Sequence, residues 1–448
     1  MTARVIVGAR IALLDAPYDV QVAVQRMTSY RNPEVDRRER LGLYTGSTDP
    51  LVTTWTAVPG GLSVPRGVER RLFSLLRESG TPYTAEDRTV RPSLDLKCST
   101  GAVLRGYQDA ALDELLATCT GVLEMPTGAG KTVVGLSAIP RLLTRTVVLV
   151  HRRELIDQWR ERCRTLLGIE AGVVASGKND LRPVTVASIQ TLARRPLHAL
   201  APQFGLVLVD ETHHAPARQW AGVIDQFPAR FRYGLSATPW RKDGLDALIN
   251  DYLGPVVARV TPSEVRQAGA TVAPRFEVVS SDFWFPFETS SDWTRMISAL
   301  VANDNRNDLI EREVRQRVAT GLQALVLSDR VDHVRDLADR LCDLCPVVLH
   351  GEQPAADRTA GMAAVRAGAR VTIATTGVLG EGVDAPAWSL LVMASPFAGG
   401  PRTLQAVGRV VRPAPGKREA VVLDILDAQV PALVGAYRSR QRLYREAA

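Results

Sequence analysis

Lysine is scarce in this chain of 448 residues. It stands only at Lys97, Lys131, Lys178, Lys242 and Lys417, and the other 50 of the 55 lysines and arginines are arginine. A lysine here is less apt to be surface filler, so each one marks a position to explain. Cysteine is sparse too, with five in the chain, which implies a reducing compartment and a cytoplasmic location. Only "CDLC", Cys342 to Cys345, forms a close pair. A single pair without a second is expected as two half-buried helix residues, not as a zinc site. No run of about 18 apolar residues occurs, so no membrane span and no membrane partner are expected. The opening "MTARVIVGARIALLDAPYDV" brings in Asp15 and Asp19 early and shows no small-residue cleavage pattern, which argues against a signal peptide. Low-complexity segments, short repeats and a nuclease constellation are not found.

What is present is the composition of a globular protein, 46% hydrophobic and 23% charged, with a net charge of +7 and a pI near 9.3. That balance permits a polyanionic partner without requiring one. The N-terminal part, residues 1–97, reads as a small unit. It has short β-like runs ("RLGLYTG", "LVTTWTAV"), turn residues ("VPGGLSVPRG") and an amphipathic helix, "VERRLFSLLRESG", closed by its glycine. From about residue 104 apolar strand-like runs alternate with helical patterns: "GVLEM", "TVVLV", "VTVAS", "GLVLVD", "RYGLSAT". Continuous apolar runs between helices predict a parallel sheet covered on both faces. The rhythm restarts after residue 320 with "ALVLS", "PVVLH", "VTIATT", "WSLLVMASP" and "AVVLDIL". The expected division is 1–97, 98–255, 256–310 as a linker with a possible small insertion, and 311–448. The aromatic segment "DFWFPF", with Trp284, Phe285 and Phe287, is expected to form a small local core. The arginine-rich end "AYRSRQRLYREAA" is expected as a solvated helix.

The chemistry starts at "EMPTGAGKT", residues 124–132, between a short strand and an apolar helix pattern. Strand, glycine-rich turn and helix form the context of a phosphate-binding P-loop. Thr127, Gly128, Ala129 and Gly130 would wrap backbone N–H groups around phosphate oxygens at a helix N-terminus. Lys131 would neutralise the β- and γ-phosphates of ATP, and Thr132 would hold Mg²⁺. The strict pattern asks for glycine where this chain has Met125. The second element is "LVLVDETHH", an apolar strand that ends in two acids. Asp210 would orient Mg²⁺ through water, and Glu211 would position and deprotonate the attacking water. His213 and His214 lack further ligands and are not read as a metal site. Finally, "QAVGRVVRP" holds Arg409 and Arg412 three residues apart, a pattern that a plain surface helix also carries.

Taken in order, these motifs resemble the superfamily 2 helicases, in the DEAH-like, XPB/UvsW-like branch, over roughly residues 100–425. "LRGYQ" resembles the adenine-reading motif, with Arg105 and Gln108. "VLVHRRELIDQW" and "VASIQTL" resemble the first strand-contacting motifs, which implies Arg152, Gln190 and Thr191 as nucleic-acid contacts. "RYGLSATPWRKDG" resembles the coupling motif, with Ser236, Ala237 and Thr238. "LVLSDRVDH" and "LHGE" resemble motifs of the second domain. "ATTGVLGEGVDAP" resembles the motif in which Thr376 holds the strand and Asp384 approaches the nucleotide. "QAVGRVVR" carries the Gln-x-x-Gly-Arg-x-x-Arg pattern through Gln405, Arg409 and Arg412.

The resemblance implies an α/β fold of two tandem RecA-like parallel-sheet domains with a small N-terminal α+β accessory domain, in the position where that branch carries accessory DNA-binding domains. It implies an ATP-dependent helicase or translocase with ATP and Mg²⁺. The expected partner is DNA, duplex, forked or single-stranded, ahead of RNA, with protein partners in a repair or restriction complex also possible. Two rivals stay open: a motor subunit or ATP-gated clamp without its own unwinding, and a P-loop kinase or small-molecule ATPase indifferent to nucleic acid.

Overall fold

The computed structural model describes residues 2–46, 48–95, 102–210, 217–237, 245–378, 385–397 and 400–447. It divides into two compact units, one of residues 1–125 and 130–260, the other of 126–129 and 261–448.

The first unit opens with a β-hairpin. β1 (Ala3–Val7) and β2 (Arg10–Leu14) alternate buried and less buried side chains, the period-two pattern of a half-covered sheet. β3 (Ser29–Arg31) and β4 (Leu51–Thr53) form a separate antiparallel ribbon. β5 (Thr56–Val58), β6 (Gly61–Pro65) and β7 (Tyr83–Asp87) complete a five-stranded sheet in the order β5-β6-β2-β1-β7. Helices Tyr18–Met27 and Glu69–Glu78 bury Val20, Val24, Leu72 and Leu76 against it. Two readings of this part are corrected. "RLGLYTG" forms no strand, whereas the supposed turn "VPGGLSVPRG" supplies β6. Gly61 and Pro65 sit at the two ends of β6, where neither interrupts its pairing with β2. A Cβ on Gly61 would fall 2.0 Å from the Leu13 carbonyl oxygen, so the glycine is required by close approach to β2.

The same unit then builds an eight-stranded sheet. Its strands are β8 (Thr120–Glu124), β9 (Thr146–Val150), β10 (Gly172–Ala175), β11 (Lys178–Asp180), β12 (Val184–Ser188), β13 (Leu206–Asp210), β14 (Phe231–Ser236) and β15 (Val256–Arg259). Their order is β11-β10-β12-β9-β13-β14-β8-β15. Every pairing is parallel except β10 with β11. All five residues of β9 and of β13 are buried, which explains their unbroken apolar character.

The N-terminal part is joined to this sheet through buried polar groups. Arg66 donates to the carbonyls of Ala229 and Arg230, both at 3.1 Å, and Arg232 donates to the Ala9 carbonyl. Arg10 pairs with Asp225. Asp251, wholly buried, accepts from Tyr30 Oη at 2.8 Å, Thr54 Oγ1 at 2.5 Å and the Arg71 guanidinium.

The second unit carries a six-stranded, all-parallel sheet. Its strands are β16 (Pro274–Ser281), β17 (Ala324–Ser328), β18 (Val347–Leu349), β19 (Val371–Thr375), β20 (Leu390–Met393) and β21 (Ala420–Asp427), in the order β16-β21-β20-β17-β19-β18. Residues 256–310, expected as a linker, thus contribute strands to both sheets: β15 to the first and β16, along the whole of β21, to the second. Apolar clusters line both faces of this sheet. "DFWFPF" contributes Phe283 to a small core with Met296, Ile297, Leu300, Val430 and Leu433; Phe285 and Phe287 pack on it, and Trp284 stays exposed. Cys342 and Cys345 are exposed at a 3₁₀ turn, not half-buried in a helix. Among the described residues no helix is long and apolar enough to cross a membrane.

Candidate active site

The glycine-rich turn follows β8 directly and ends at the helix Lys131–Leu142. Gly130 is the residue before that helix, with φ 97°, and Gly128 has φ 86°, a region that strains any residue with a Cβ. A Cβ on Gly130 would also lie 2.4 Å from Gln108 Nε2. Met125, the departure from the strict pattern, is fully buried and continues β8, its N–H donating to the Ser236 carbonyl at 2.9 Å. Its φ is not positive, so the position has no need of glycine.

Lys131 donates from Nζ to the Met125 carbonyl at 3.3 Å, which folds the ammonium back over the turn. Thr127 and Thr132 are half-buried, Gly128 is exposed and Ala129 is buried. Gln108 lies 3% exposed at the start of the helix Gly106–Leu116, where its Oε1 accepts the Arg105 N–H at 3.0 Å. The helix Gly106–Leu116 thus sets the adenine-reading candidate beside the phosphate turn, against Gly130.

Asp210 ends β13, buried, and its Oδ2 accepts from Trp159 Nε1 at 2.7 Å. Ser236 ends β14, beside β13 and β8, and is fully buried. Parallel strands bring Glu124, Asp210 and Ser236 to the same sheet edge, where the loops leave for the site. Glu211, Thr238 and Asp384 lie outside the described residues.

The strand-contact candidates of the first unit also gather at strand ends. Arg152 follows β9 and precedes the helix Arg153–Arg162. Gln190 and Thr191 follow β12, β9's neighbour. Gln190 is used internally: Nε2 donates to the His151 carbonyl at 2.6 Å and Oε1 meets Ser188 Oγ at 2.8 Å. In the second unit Thr376 follows β19. Its N–H donates to the Ser328 carbonyl at 3.2 Å and its hydroxyl to Asp329.

Arg409 lies in the helix Pro401–Val410 with Gln405 and is buried, which the surface-helix alternative does not accommodate; Arg412 stands two residues past the helix end. One neighbour of Arg412 was not expected from the sequence. Lys417 Nζ donates to three carbonyls: Pro386 at 2.9 Å, Trp388 at 2.5 Å and Arg412 at 2.8 Å. An ammonium has three donors and no acceptor, so this site consumes all of them. Burial, with the Arg412 charge nearby, brings its pKa down to about 8. The scarcity of lysine was the only signal for it.

Two predominantly parallel sheets in one chain, with a phosphate-type turn after a strand of the first and an arginine-bearing helix in the second, give a tandem RecA-like fold. The family "Type III restriction enzyme, res subunit" matches residues 102–241, and "Helicase conserved C-terminal domain" matches 305–414. The putative DNA 3'-5' helicase Rad25 of Halobacterium salinarum is 32% identical over 349 residues, covering 75% of this chain and 57% of that protein. The DNA 3'-5' helicase XPB of Kineococcus radiotolerans is 30% identical over 332 residues, covering 70% of this chain and 58% of that protein. The chain therefore spans a little over half the length of these two relatives. The solved structure of the ATP-dependent Type ISP restriction-modification enzyme LlaBIII bound to DNA has a TM-score of 0.58 at 14% identity, covering 78% of this chain and 30% of that one; the likeness is one of fold. The two matched families and these relatives support a superfamily 2 helicase of the XPB-like group.

Proposed function

We propose that this chain is an ATP-dependent DNA helicase or translocase, which couples ATP hydrolysis to movement along, or remodelling of, duplex or branched DNA. The observation that carries the reading is the Lys131 turn. Two glycines at positive φ open its backbone, and the ammonium rests on the neutral Met125 carbonyl, an acceptor that a phosphate oxygen outcompetes. The donor set fits a nucleoside triphosphate. Residues 127–130 offer backbone N–H groups, and Arg105 and Gln108 read the base. Thr132 and, through water, Asp210 hold Mg²⁺, which when bound neutralises charge on the β- and γ-phosphates.

Glu211 organises the attacking water. Gln405, Arg409 and Arg412 supply polar and cationic groups for the γ-phosphoryl charge, and Asp384 approaches the nucleotide. An arginine in that role is worth roughly 10³–10⁵ in rate. Ser236 and Thr238 couple nucleotide state to grip. Arg152, Thr191 and Thr376 contact the strand, mostly through phosphates, with Gln190 holding the His151–Arg152 turn in place through the His151 carbonyl. The two relatives bear the name DNA 3'-5' helicase, and we take the same polarity here.

The test is ATPase turnover with single-stranded, duplex, forked and four-way DNA and with RNA, for the wild type and Lys131→Ala. DNA should stimulate more strongly than RNA, and Lys131→Ala should abolish turnover. Turnover indifferent to nucleic acid would overturn the reading in favour of a small-molecule ATPase. Unwinding of forked DNA by the isolated chain separates a helicase from the motor subunit of a larger repair or restriction assembly.

A further inference from the structure

The last helix, Pro431–Ala447, runs 17 residues and is fixed in rotation by a buried ionic anchor. Arg440 makes a two-pronged pair with Asp424, Nε to Oδ2 and Nη2 to Oδ1, both at 2.8 Å, with each side chain 1% exposed. Tyr444 Oη adds a bond to the same carboxylate at 2.9 Å, and its ring stacks on Phe276 with centroids 4.5 Å apart. Leu433 is buried on the same side. At about 100° per residue, positions 433, 440 and 444 share one face of the helix.

The opposite face is thereby turned outward. Arg438, Arg442 and Arg445 lie at spacings of four and three, within about 60° of one another, and all three are exposed. At about 1.5 Å rise per residue they form a row about 10 Å long. None of the three forms an ion pair with a described residue. Other arginines of this unit do pair: Arg315 with Glu311 and Asp343, Arg317 with Glu277 and Glu313, Arg340 with Asp304, Asp308 and Asp336. Between Asp427 and Glu446 the sequence has no acid at all. The negative end of the helix dipole accounts for Arg445 in the last turn, but Arg438 lies more than two turns from that end.

We infer that Arg438, Arg442 and Arg445 form an accessory track for the sugar-phosphate backbone of duplex DNA. The inference rests on the proposed DNA-motor function and extends it to a surface outside the motifs. Phosphates of one duplex strand repeat about every 3.4 Å along the axis, so a row of about 10 Å spans roughly three of them. Guanidinium is the donor best matched to phosphate geometry. The exposed face carries Gly435 and Ser439 near the arginines and no exposed large apolar side chain. A protein partner would ordinarily seat aromatic or aliphatic anchors there.

The experiment is equilibrium binding of a duplex of fixed sequence by the full chain across a salt series, for the wild type, R438Q/R442Q/R445Q and a charge-matched control, R312Q/R366Q/R370Q. The stripe variant should lower the slope of log affinity against log salt by about 2–3, near 0.9 for each phosphate left unneutralised. Its DNA-independent ATPase and melting temperature should match the wild type, because the anchor on the inner face is untouched. The control should keep the wild-type slope. An unchanged slope in the stripe variant overturns the inference and leaves the stripe for an acidic protein surface. An equal fall in the control also overturns it, since net charge alone would then explain the loss. If the wild-type chain does not bind DNA at all, the parent function fails and this inference with it.

Discussion

Trp159 donates its indole N–H to Oδ2 of Asp210 at 2.7 Å, and both side chains are buried. The tryptophan belongs to "VLVHRRELIDQW", the motif that starts at β9, and the aspartate closes β13 beside it. One buried hydrogen bond therefore ties the helix behind a strand-contact motif to the acid assigned to Mg²⁺. Hydrogen bonds to a charged group contribute about 1.5–3 kcal/mol. Trp159→Phe keeps most of the packing and removes the donor. ATPase kcat should fall about tenfold or more while the fold persists by circular dichroism. Wild-type kcat at saturating ATP and Mg²⁺ would show that the bond positions nothing.

The N-terminal part is bound to the first large sheet by polar groups that are buried or half-buried. Asp251 holds Tyr30, Thr54 and Arg71, and burial with the Asp251 charge pushes the Tyr30 hydroxyl up to about 12. Asp251→Ala removes the acceptor shared by Thr54, Tyr30 and Arg71; the two hydroxyls keep the Thr28 and Met27 carbonyls, so the expected cost is about 1–3 kcal/mol. Deleting residues 1–95 goes further, leaving Asp225 and Asp251 without the partners named above and Arg232 without the Ala9 carbonyl. That fragment should aggregate or melt far below the full chain. A soluble, monodisperse fragment with the full-length melting temperature would mean that the interface adds nothing.

His333 gives the second unit an acid sensitivity. Its Nδ1 meets Ser328 Oγ at 3.0 Å and its Nε2 meets Asn307 Oδ1 at 3.0 Å, with all three residues buried. Asn307 Nδ2 in turn donates to Asp336 at 2.9 Å, so its oxygen faces the histidine and His333 carries its proton on Nε2. Burial, then the Arg306 and Arg340 charges, bring the imidazole pKa down to about 3. The unfolded chain binds this proton near pH 6.5 and the folded chain only near 3. Stability from this group is thus present above about 6.5 and is lost as pH falls toward 3, at up to about 1.4 kcal/mol per pH unit. His333→Asn keeps an acceptor near Ser328 but does not titrate. Urea midpoints should fall less steeply for His333→Asn than for the wild type between about pH 6 and 4. Parallel slopes would refute the assignment.

The sheet strands were legible because parallel strands buried on both faces need unbroken apolar runs. "TVVLV", "VTVAS" and "ALVLS" coincide with β9, β12 and β17 residue for residue. β6 and β16 were not legible. The first is bracketed by Gly61 and Pro65, which look like turn residues until β2 is beside them. The second is an edge strand rich in polar residues whose partner, β21, lies far along the chain. At the site, the phosphate turn could be read locally because its glycines, lysine and threonine are consecutive. Asp251 and His333 could not, since each looks like an ordinary surface polar residue and its role comes from partners distant in sequence; Lys417 stood out only through the scarcity of lysine.

Lys417 yields two opposite signs in one residue. It ties the Arg412 carbonyl to the turn at Pro386–Trp388, which follows the segment carrying Asp384. With a folded pKa of about 8 against about 10.4 unfolded, the unfolded chain holds the extra proton between those values. Global stability contributed by this group is therefore absent below about pH 8 and grows as pH rises toward 10. Over the same window the neutral amine has only two donors for three carbonyls, so one tie opens and the Arg412 backbone loosens. The wild type should gain stability relative to Lys417→Met as pH rises from about 8 to 10, by urea unfolding, while its DNA-stimulated kcat falls. Lys417→Met should show a low kcat already at about pH 7 with little change in KM for ATP, and no further alkaline fall. Arg412→Ala calibrates the effect, since ATP binding should survive there while hydrolysis collapses. If Lys417→Met matches the wild type in kcat at neutral pH, the three carbonyl bonds do not hold the arginine for catalysis.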